Sequence, residues 1–270
     1  MNKSLDSLLM GFNEHSSKEY SVPYTYVLRN GTQYLYYFGA RHSDNLDDPQ
    51  FKTLKDFWDS FLKRTTGRDR LAVVEGGRRS ISKHSTDARA LELGGEMHLV
   101  SLWARRAGIS VSSPEPSIRM WFTALTKHFP KDAVAYYDFA RTAYQWNRKT
   151  TDKPPFREYI APYFEQNKTK SGWKQYDFSF DHMTAVHEQL FHKPFDEKNE
   201  KFFYEIINPT TDNSIINQVS RYDDSGLRDA AILQNISRYW KSGKSLFIIY
   251  GASHAVIQEQ ALRHLVVHTG

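Results

Sequence analysis

Residues 244–254 read KSLFIIYGASH, and the fold is best predicted by starting from this stretch. Its apolar run predicts a β-strand, and the residues that follow form a Gly-x-x-His pattern, Gly251–His254. A second stretch, residues 34–42, reads YLYYFGARH and repeats the design, ending in Gly39–His42. Its nearly continuous apolar character is typical of a strand buried on both faces. The sequence therefore predicts two strands that each deliver a histidine at the carboxyl end.

A third strand is predicted at residues 70–75, which read RLAVVE and are followed by Gly76-Gly77. The glycines leave room for a ligand close to the backbone. In α/β sheets, ligands bind in the crevice at the carboxyl ends of the strands. We therefore expect His42, Glu75 and His254 to converge at one end of the sheet.

Helical patterns alternate with these strands, beginning near residues 48, 86 and 225. Ahead of them, Tyr24–Arg29 and Thr32–Phe38 flank Asn30-Gly31, a dipeptide that favours a type I′ hairpin turn. Alternating strands and helices with one hairpin predict an α/β fold, a mixed central β-sheet flanked by helices. We expect one such domain over residues 1–270, with a mostly helical, aromatic-rich insertion at about residues 118–217.

Composition excludes several classes of protein. The 270 residues are 40% hydrophobic and 25% charged, which excludes a disordered chain. With no cysteine, disulfides, thiolate nucleophiles and cysteine-ligated metals are excluded. The net charge is +5, but the basic residues are dispersed, so no nucleic-acid partner is predicted. No apolar run reaches the length of a membrane span, so we expect a soluble cytoplasmic protein without a membrane anchor. The sequence does not set the oligomeric state.

Two histidines and a glutamate support two kinds of chemistry. They are a familiar set of ligands for a divalent ion that keeps an open coordination position. They are equally suited to act as a base, an acid and an orienting group without a metal. The residues alone leave both alternatives open.

The paired motifs Gly39–His42 and Gly251–His254 resemble those of the Tiki/TraB superfamily, which is related to erythromycin esterase-like and haem-uptake proteins. The valine-rich strand ending in Glu75, the helical Gly95-Glu96 pair and Gly226–Asp229 fit the same pattern. The resemblance covers residues 34–116 and 225–265 and leaves the insertion uncovered. It implies a mixed sheet with the active site at the strand ends. Its members include metal-dependent proteases, macrolide ester hydrolases that need no metal, and haem-binding proteins.

The resemblance implies divalent-metal-dependent hydrolysis of an amide or ester bond, with His42, Glu75 and His254 holding Mn, Co or Zn. Glu75 is also a candidate general base, and Arg228 would stabilise negative charge on a tetrahedral intermediate. Glu115, between two prolines, is either a second carboxylate of the pocket or a turn residue. The alternatives are a metal-independent esterase and a non-enzymatic protein that binds haem or another small ligand.

The expected substrate is a small molecule or a peptide. Aromatic residues of the insertion, such as Tyr136, Phe139 and Trp146, are typical of helix packing. Covering the crevice, they would instead select a bulky or hydrophobic substrate. His187 and His192 are one residue too far apart for the zinc-protease helix pattern, so we discard them as ligands. Ser253 as a strand-to-helix nucleophile is a further alternative, although no Asp follows it in the chain.

Overall fold

The protein is described by a computed structural model over residues 4–43, 45, 47–77, 80–149 and 153–269, the side chain of residue 225 apart. The chain divides into two compact units. The first comprises residues 1–115 and 228–270, and the second comprises residues 116–227. All candidate site residues named above belong to the first unit.

The first unit contains the mixed sheet that the sequence predicts. The strand order is β1-β2-β5-β3-β4, with β1 antiparallel to β2 and the β2–β5, β5–β3 and β3–β4 pairs parallel. The last strand in the chain therefore lies at the centre of the sheet. The strands are β1 (Tyr24–Asn30), β2 (Gln33–Ala40), β3 (Arg70–Val74), β4 (Ser110–Ser112) and β5 (Ser245–Gly251).

The hairpin turn lies one residue later than Asn30-Gly31, where the sequence predicts it. Asn30 pairs with Gln33, so the two-residue loop is Gly31-Thr32. In this loop only Gly31 has a positive φ, of 56°. Asn30 stays in the strand, and its side-chain amide donates to the Val266 carbonyl at 2.9 Å. The Asn30 side chain therefore bonds a residue outside the turn, and Gly31 supplies the positive φ that the loop needs.

None of the described helices is long and apolar enough to cross a bilayer. A 3₁₀-helix (Leu5–Leu8) precedes them. A π-helical segment (Asp223–Leu227) lies in the chain between the last helix of the second unit and the helix that follows it in the first unit. In chain order the α-helices are α1 (Phe12–Ser17), α2 (Gln50–Arg64), α3 (Asp87–Arg106), α4 (Ile118–Leu125), α5 (Lys131–Asn147), α6 (Phe156–Lys170), α7 (Phe180–Phe191), α8 (Glu200–Ile207), α9 (Ile215–Tyr222), α10 (Arg228–Lys241) and α11 (Ala252–His268).

The central strands are buried on both faces, as their apolar runs predict. Alternate side chains of a strand point to opposite faces. Phe247 and Ile249 of β5 join the core beneath α2 and α3. Ile248 and Tyr250 join the core beneath α10 and α11. The sheet of the first unit is thus covered by a helical layer on each side, and only its strand ends remain for a site.

The second unit contains residues 118–217, and every regular element described in it is helical. Its core is aromatic: Tyr136, Phe139 and Trp146 are buried together with residues of α4, α6, α7, α8 and α9. The expectation that these aromatics pack helices is confirmed. His187 is also buried there, hydrogen-bonded through Nδ1 to the Tyr136 hydroxyl at 2.5 Å. Selection of a bulky substrate by this unit stays a prediction.

Gly39 is required where α11 approaches β2. A Cβ at this position would lie 2.8 Å from the Ala255 Cβ and 2.8 Å from the Tyr24 carbonyl oxygen. We expect Gly39→Ala to lower the free energy of unfolding by ~1–3 kcal/mol, the usual cost of overpacking. Urea denaturation followed by tryptophan fluorescence measures it. Gly11→Ala is the control, because a Cβ there meets nothing within 4 Å. Equal stability of the two variants would contradict the packing argument.

Candidate functional site

The four parallel strands bring four candidate residues to one edge of the sheet. His42 follows β2, Glu75 follows β3, Glu115 follows β4, and His254 lies in the first turn of α11 after β5. Register aligns these ends: Ala40 is opposite Gly251, and the Glu75 backbone N–H donates to the Ile249 carbonyl at 3.1 Å. The structure thus brings together all three residues of the predicted triad.

Glu75 lies between the two histidines. Its Oε2 is 3.6 Å from His42 Nε2, and its Oε1 is 3.6 Å from His254 Nε2. Oε2 accepts the Gly251 N–H at 2.7 Å, and Oε1 accepts an Arg228 N–H at 2.9 Å. Burial favours the neutral acid, but the Arg228 charge and the Gly251 hydrogen bond act in the opposite direction, and the pKa of Glu75 is lowered. Glu75 is therefore ionised at neutral pH.

His42 is supported by a buried glutamate that sequence reasoning did not assign to the site. Its Nδ1 lies 2.7 Å from Glu96 Oε1, and Glu96 is only 2% exposed. The bond to Glu96 raises the pKa of His42 above 6.5 although burial acts in the opposite direction. In the neutral ring Nδ1–H donates to the carboxylate, which leaves the lone pair on Nε2. The His42 side chain is 64% exposed, so this lone pair is accessible.

A break in α3 positions Glu96. Gly94 and Gly95 leave helical geometry, and Gly95 adopts φ 61° and ψ −153°, a conformation open almost exclusively to glycine. A Cβ on Gly95 would also lie 3.2 Å from the Ser43 carbonyl oxygen. The glycine pair inside a helical pattern is the sequence signal that could have directed attention to Glu96.

His254 has its own carboxylate partner. Its Nδ1 lies 2.9 Å from Asp229 Oδ1, at the start of α10. Burial opposes protonation of this histidine, but the Asp229 carboxylate offsets burial and raises the pKa of His254. Nε2 accepts a hydrogen bond from Arg228 Nη1 at 2.9 Å, which requires the neutral ring. Each histidine of the site is thus oriented through Nδ1 by a separate acid.

Arg228 connects the remaining groups. Its Nε and Nη2 donate to the two oxygens of Glu115, each at 2.8 Å. With the bonds to Glu75 and His254, the described contacts use four of the five guanidinium N–H groups. Burial opposes the charged form, but the two carboxylates raise the pKa of Arg228. Of the two predicted roles for Glu115, the structure supports a carboxylate of the site.

The predicted metal does not fit this arrangement. A metal bound by His254 needs the single lone pair of Nε2, to which Arg228 already donates, and Glu75 Oε1 also accepts an Arg228 N–H. The guanidinium is also a permanent positive charge close to where the ion would lie. Within the described ranges, no group of three or more histidine, aspartate or glutamate residues is placed to hold a metal ion.

A cavity of about 460 Å³ opens beside His42 and Glu75. This volume falls within the usual range for small-molecule sites. Lining the cavity are His42, Ser43, Glu75, Gly76, Gly94, Gly95, Glu96 and Met97.

The described hydrogen bonds of the cluster do not include Ser253, so the geometry gives no support to a serine nucleophile.

The glycines of the two Gly-x-x-His motifs have different steric functions. Gly39 admits α11 against the sheet, whereas a Cβ on Gly251 would lie 2.9 Å from His42 Nε2. The glycine of the second motif therefore makes space for the histidine of the first. This contact explains physically why the two motifs occur as a pair.

We expect Glu96→Gln to lower the pKa of His42, because glutamine can still accept from Nδ1 but carries no charge to stabilise the imidazolium. The measurement is an NMR titration of the histidine ring signals. Glu92→Gln is the control, since Glu92 lies one turn earlier on α3, exposed and paired with Arg89. An unchanged His42 pKa in Glu96→Gln would show that Glu96 does not control this histidine.

Comparison of the chain with protein-family models, with curated proteins and with solved structures returns no match. The resemblance to the Tiki/TraB superfamily therefore rests on the motifs quoted above. The chemistry of the strand-end cluster, through the described contacts of His42, Glu75, Glu96, Arg228 and His254, is therefore the basis for a function.

Proposed function

We propose that the protein is a metal-independent hydrolase of neutral carboxylic esters. One observation carries the proposal: an exposed histidine, His42, is backed by the buried Glu96 and faces an open cavity beside the ionised Glu75. Of the two chemistries that the sequence leaves open, this geometry favours acid–base catalysis over a metal centre.

His42 acts as the general base. Its Nε2 takes a proton from a water molecule while the water oxygen attacks the ester carbonyl carbon. The resulting imidazolium is stabilised by Glu96 at Nδ1 and by the Glu75 charge, 3.6 Å from Nε2. When the tetrahedral intermediate collapses, the ester C–O bond breaks and His42 returns the proton to the leaving alkoxide. The histidine is then neutral and ready for another cycle.

Glu75 stabilises charge and does not itself accept the proton. One of its oxygens holds the Gly251 N–H and the other holds an Arg228 N–H, and its pKa is lowered. A carboxylate with these partners is a poor base at neutral pH. Its role is to balance the positive charge that His42 acquires.

Arg228 has a positioning role and a smaller electrostatic one. Two carboxylates, Glu75 and Glu115, compensate its charge. Its remaining N–H, on Nη1, is the donor that we assign to the carbonyl oxygen of the substrate. One such donor is typically worth a factor of about 10²–10³ in rate.

The charge of the site argues for the class of ester. The cluster contains four carboxylates, two of which line the cavity while the other two bond Arg228 and His254, and Arg228 is the one permanent cation among its described groups. An anionic group such as a phosphate ester would enter a field of like charge. A neutral ester does not meet this penalty. The carboxylates are Glu75, Glu96, Glu115 and Asp229.

The proposal is tested by hydrolysis of p-nitrophenyl acetate and butyrate, with p-nitrophenyl phosphate as the anionic comparison. We expect ester turnover that EDTA does not reduce, and a loss of about 10²–10⁴-fold in His42→Gln. His84→Gln is the control, because His84 is an exposed turn residue. Loss of activity with EDTA and its return with Mn²⁺, Co²⁺ or Zn²⁺ would favour the metal-dependent alternative. A Soret band with added hemin and no turnover would favour the haem-binding alternative.

We expect Gly251→Ala to reduce activity without a comparable loss of stability. The new Cβ would meet the Nε2 end of an exposed side chain, which can rotate away, and the backbone φ of −53° suits alanine. We expect esterase activity to fall at least ten-fold while the free energy of unfolding changes by less than in Gly39→Ala. The same urea denaturation and ester assays measure both. Full activity in Gly251→Ala would contradict a catalytic position for the His42 ring.

A further inference from the structure

Gln258 is a fully buried polar residue that the hydrolytic scheme leaves unexplained. It lies on α11 one turn after His254 and has 0% exposure. Its Nε2 donates to Asp229 Oδ1, and its Oε1 accepts the Tyr37 hydroxyl at 3.1 Å. A buried amide is costly unless its donors and acceptors are paired. Of its two partners, Tyr37 belongs to the core beneath α10 and α11, and Asp229 also contacts His254 of the site.

The chemistry of these groups fixes the direction of every bond. The Asp229 carboxylate only accepts, so it must receive N–H groups from both Gln258 and His254. The Gln258 carbonyl then faces Tyr37, whose hydroxyl donates to it. With Nδ1 as the donor, the neutral His254 ring has its lone pair on Nε2, where Arg228 can only donate. Two series of donors therefore converge on Asp229, one from Tyr37 through Gln258 and one from Arg228 through His254, and together they form a chain of hydrogen bonds.

We propose that Tyr37 and Gln258 are positioning residues that hold His254 in the tautomer protonated on Nδ1. Asp229, which only accepts, selects the amide end of Gln258 that faces it, and the Tyr37 hydroxyl bonds the other end. Gln258 and His254 share the same Asp229 oxygen, so the glutamine prevents the carboxylate from turning away. The ring of His254 then presents Nε2 towards Glu75 and Arg228. The inference rests on the proposed function only in treating His254 as part of the active site.

Tyr37, Gln258 and Asp229 are buried, which makes their hydrogen bonds hard to replace by water. Tyr37 has 0% exposure on β2, and Asp229 has 3% on α10. In an amide flipped by 180°, the Gln258 carbonyl would face the Asp229 carboxylate and repel it. The Asp229 carboxylate opposes this flip, and the Tyr37 hydroxyl holds the amide in the unflipped arrangement by donating to its carbonyl. The hydrogen bonds therefore select one of the two orientations of the Gln258 amide, which have the same shape.

The test is a long-range ¹H–¹⁵N NMR spectrum of the full chain at alkaline pH, where the histidine rings are neutral. In the unmodified protein we expect His254 to be protonated mainly on Nδ1. Tyr37→Phe and Gln258→Met should shift the tautomer ratio towards Nε2–H by roughly five-fold, the size expected for one lost hydrogen bond. Tyr36→Phe and Gln260→Met are the controls.

The controls match the test variants closely. Tyr36 is a buried tyrosine beside Tyr37 on the opposite face of the sheet, bonded to Ser60, and Gln260 is an exposed glutamine of the same helix. An unchanged His254 tautomer in Tyr37→Phe, which retains the ring, would overturn the inference even if Gln258→Met fails to fold. The readout needs no turnover, so a shifted tautomer with no esterase activity would support the chain while refuting the hydrolase.

Discussion

The bond between Arg228 and Glu75 is the interaction on which the rest of the site depends. It joins the start of α10 to the end of β3, residues 153 positions apart in the chain. Through the same guanidinium, Glu115 and His254 are held at fixed distances from Glu75. The positive charge of Arg228 offsets the repulsion between two half-buried carboxylates, Glu75 and Glu115. The cluster is therefore a single electrostatic unit.

The two histidines differ in what their surroundings permit. His42 is largely exposed and has an acid behind it, so its free nitrogen faces the cavity. His254 is enclosed, and both of its nitrogens already have partners. One motif thus supplies the histidine that we propose as the general base, and the other supplies a histidine that contacts both Arg228 and Glu75. The same Gly-x-x-His spacing yields different chemistry because the neighbouring helices differ.

Much of this could be predicted from the sequence because it depends on strand ends. Apolar runs fix β2, β3 and β5, and parallel pairing then brings His42, Glu75 and His254 together. The role of Glu96 depends on a break in α3, and the role of Gln258 depends on which face of α11 meets Asp229. The glycine pair marks the break in α3 but not the histidine that Glu96 contacts, and no local pattern indicates the partner of Gln258. The choice between a metal and a guanidinium at Glu75 likewise depends on distances that only the folded chain defines.

The central position of β5 has a consequence for the order of synthesis. On the ribosome, β2 and β3 emerge long before the strand that separates them, because residues 116–227 are made in between. Until β5 arrives, both strands present unpaired edges, which are prone to association with other chains. During most of translation, β2 and β3 are therefore present without the strand that joins them, and their apolar edges are exposed. Any molecule that covers these edges during that interval, such as a chaperone, would protect the fold before the site exists.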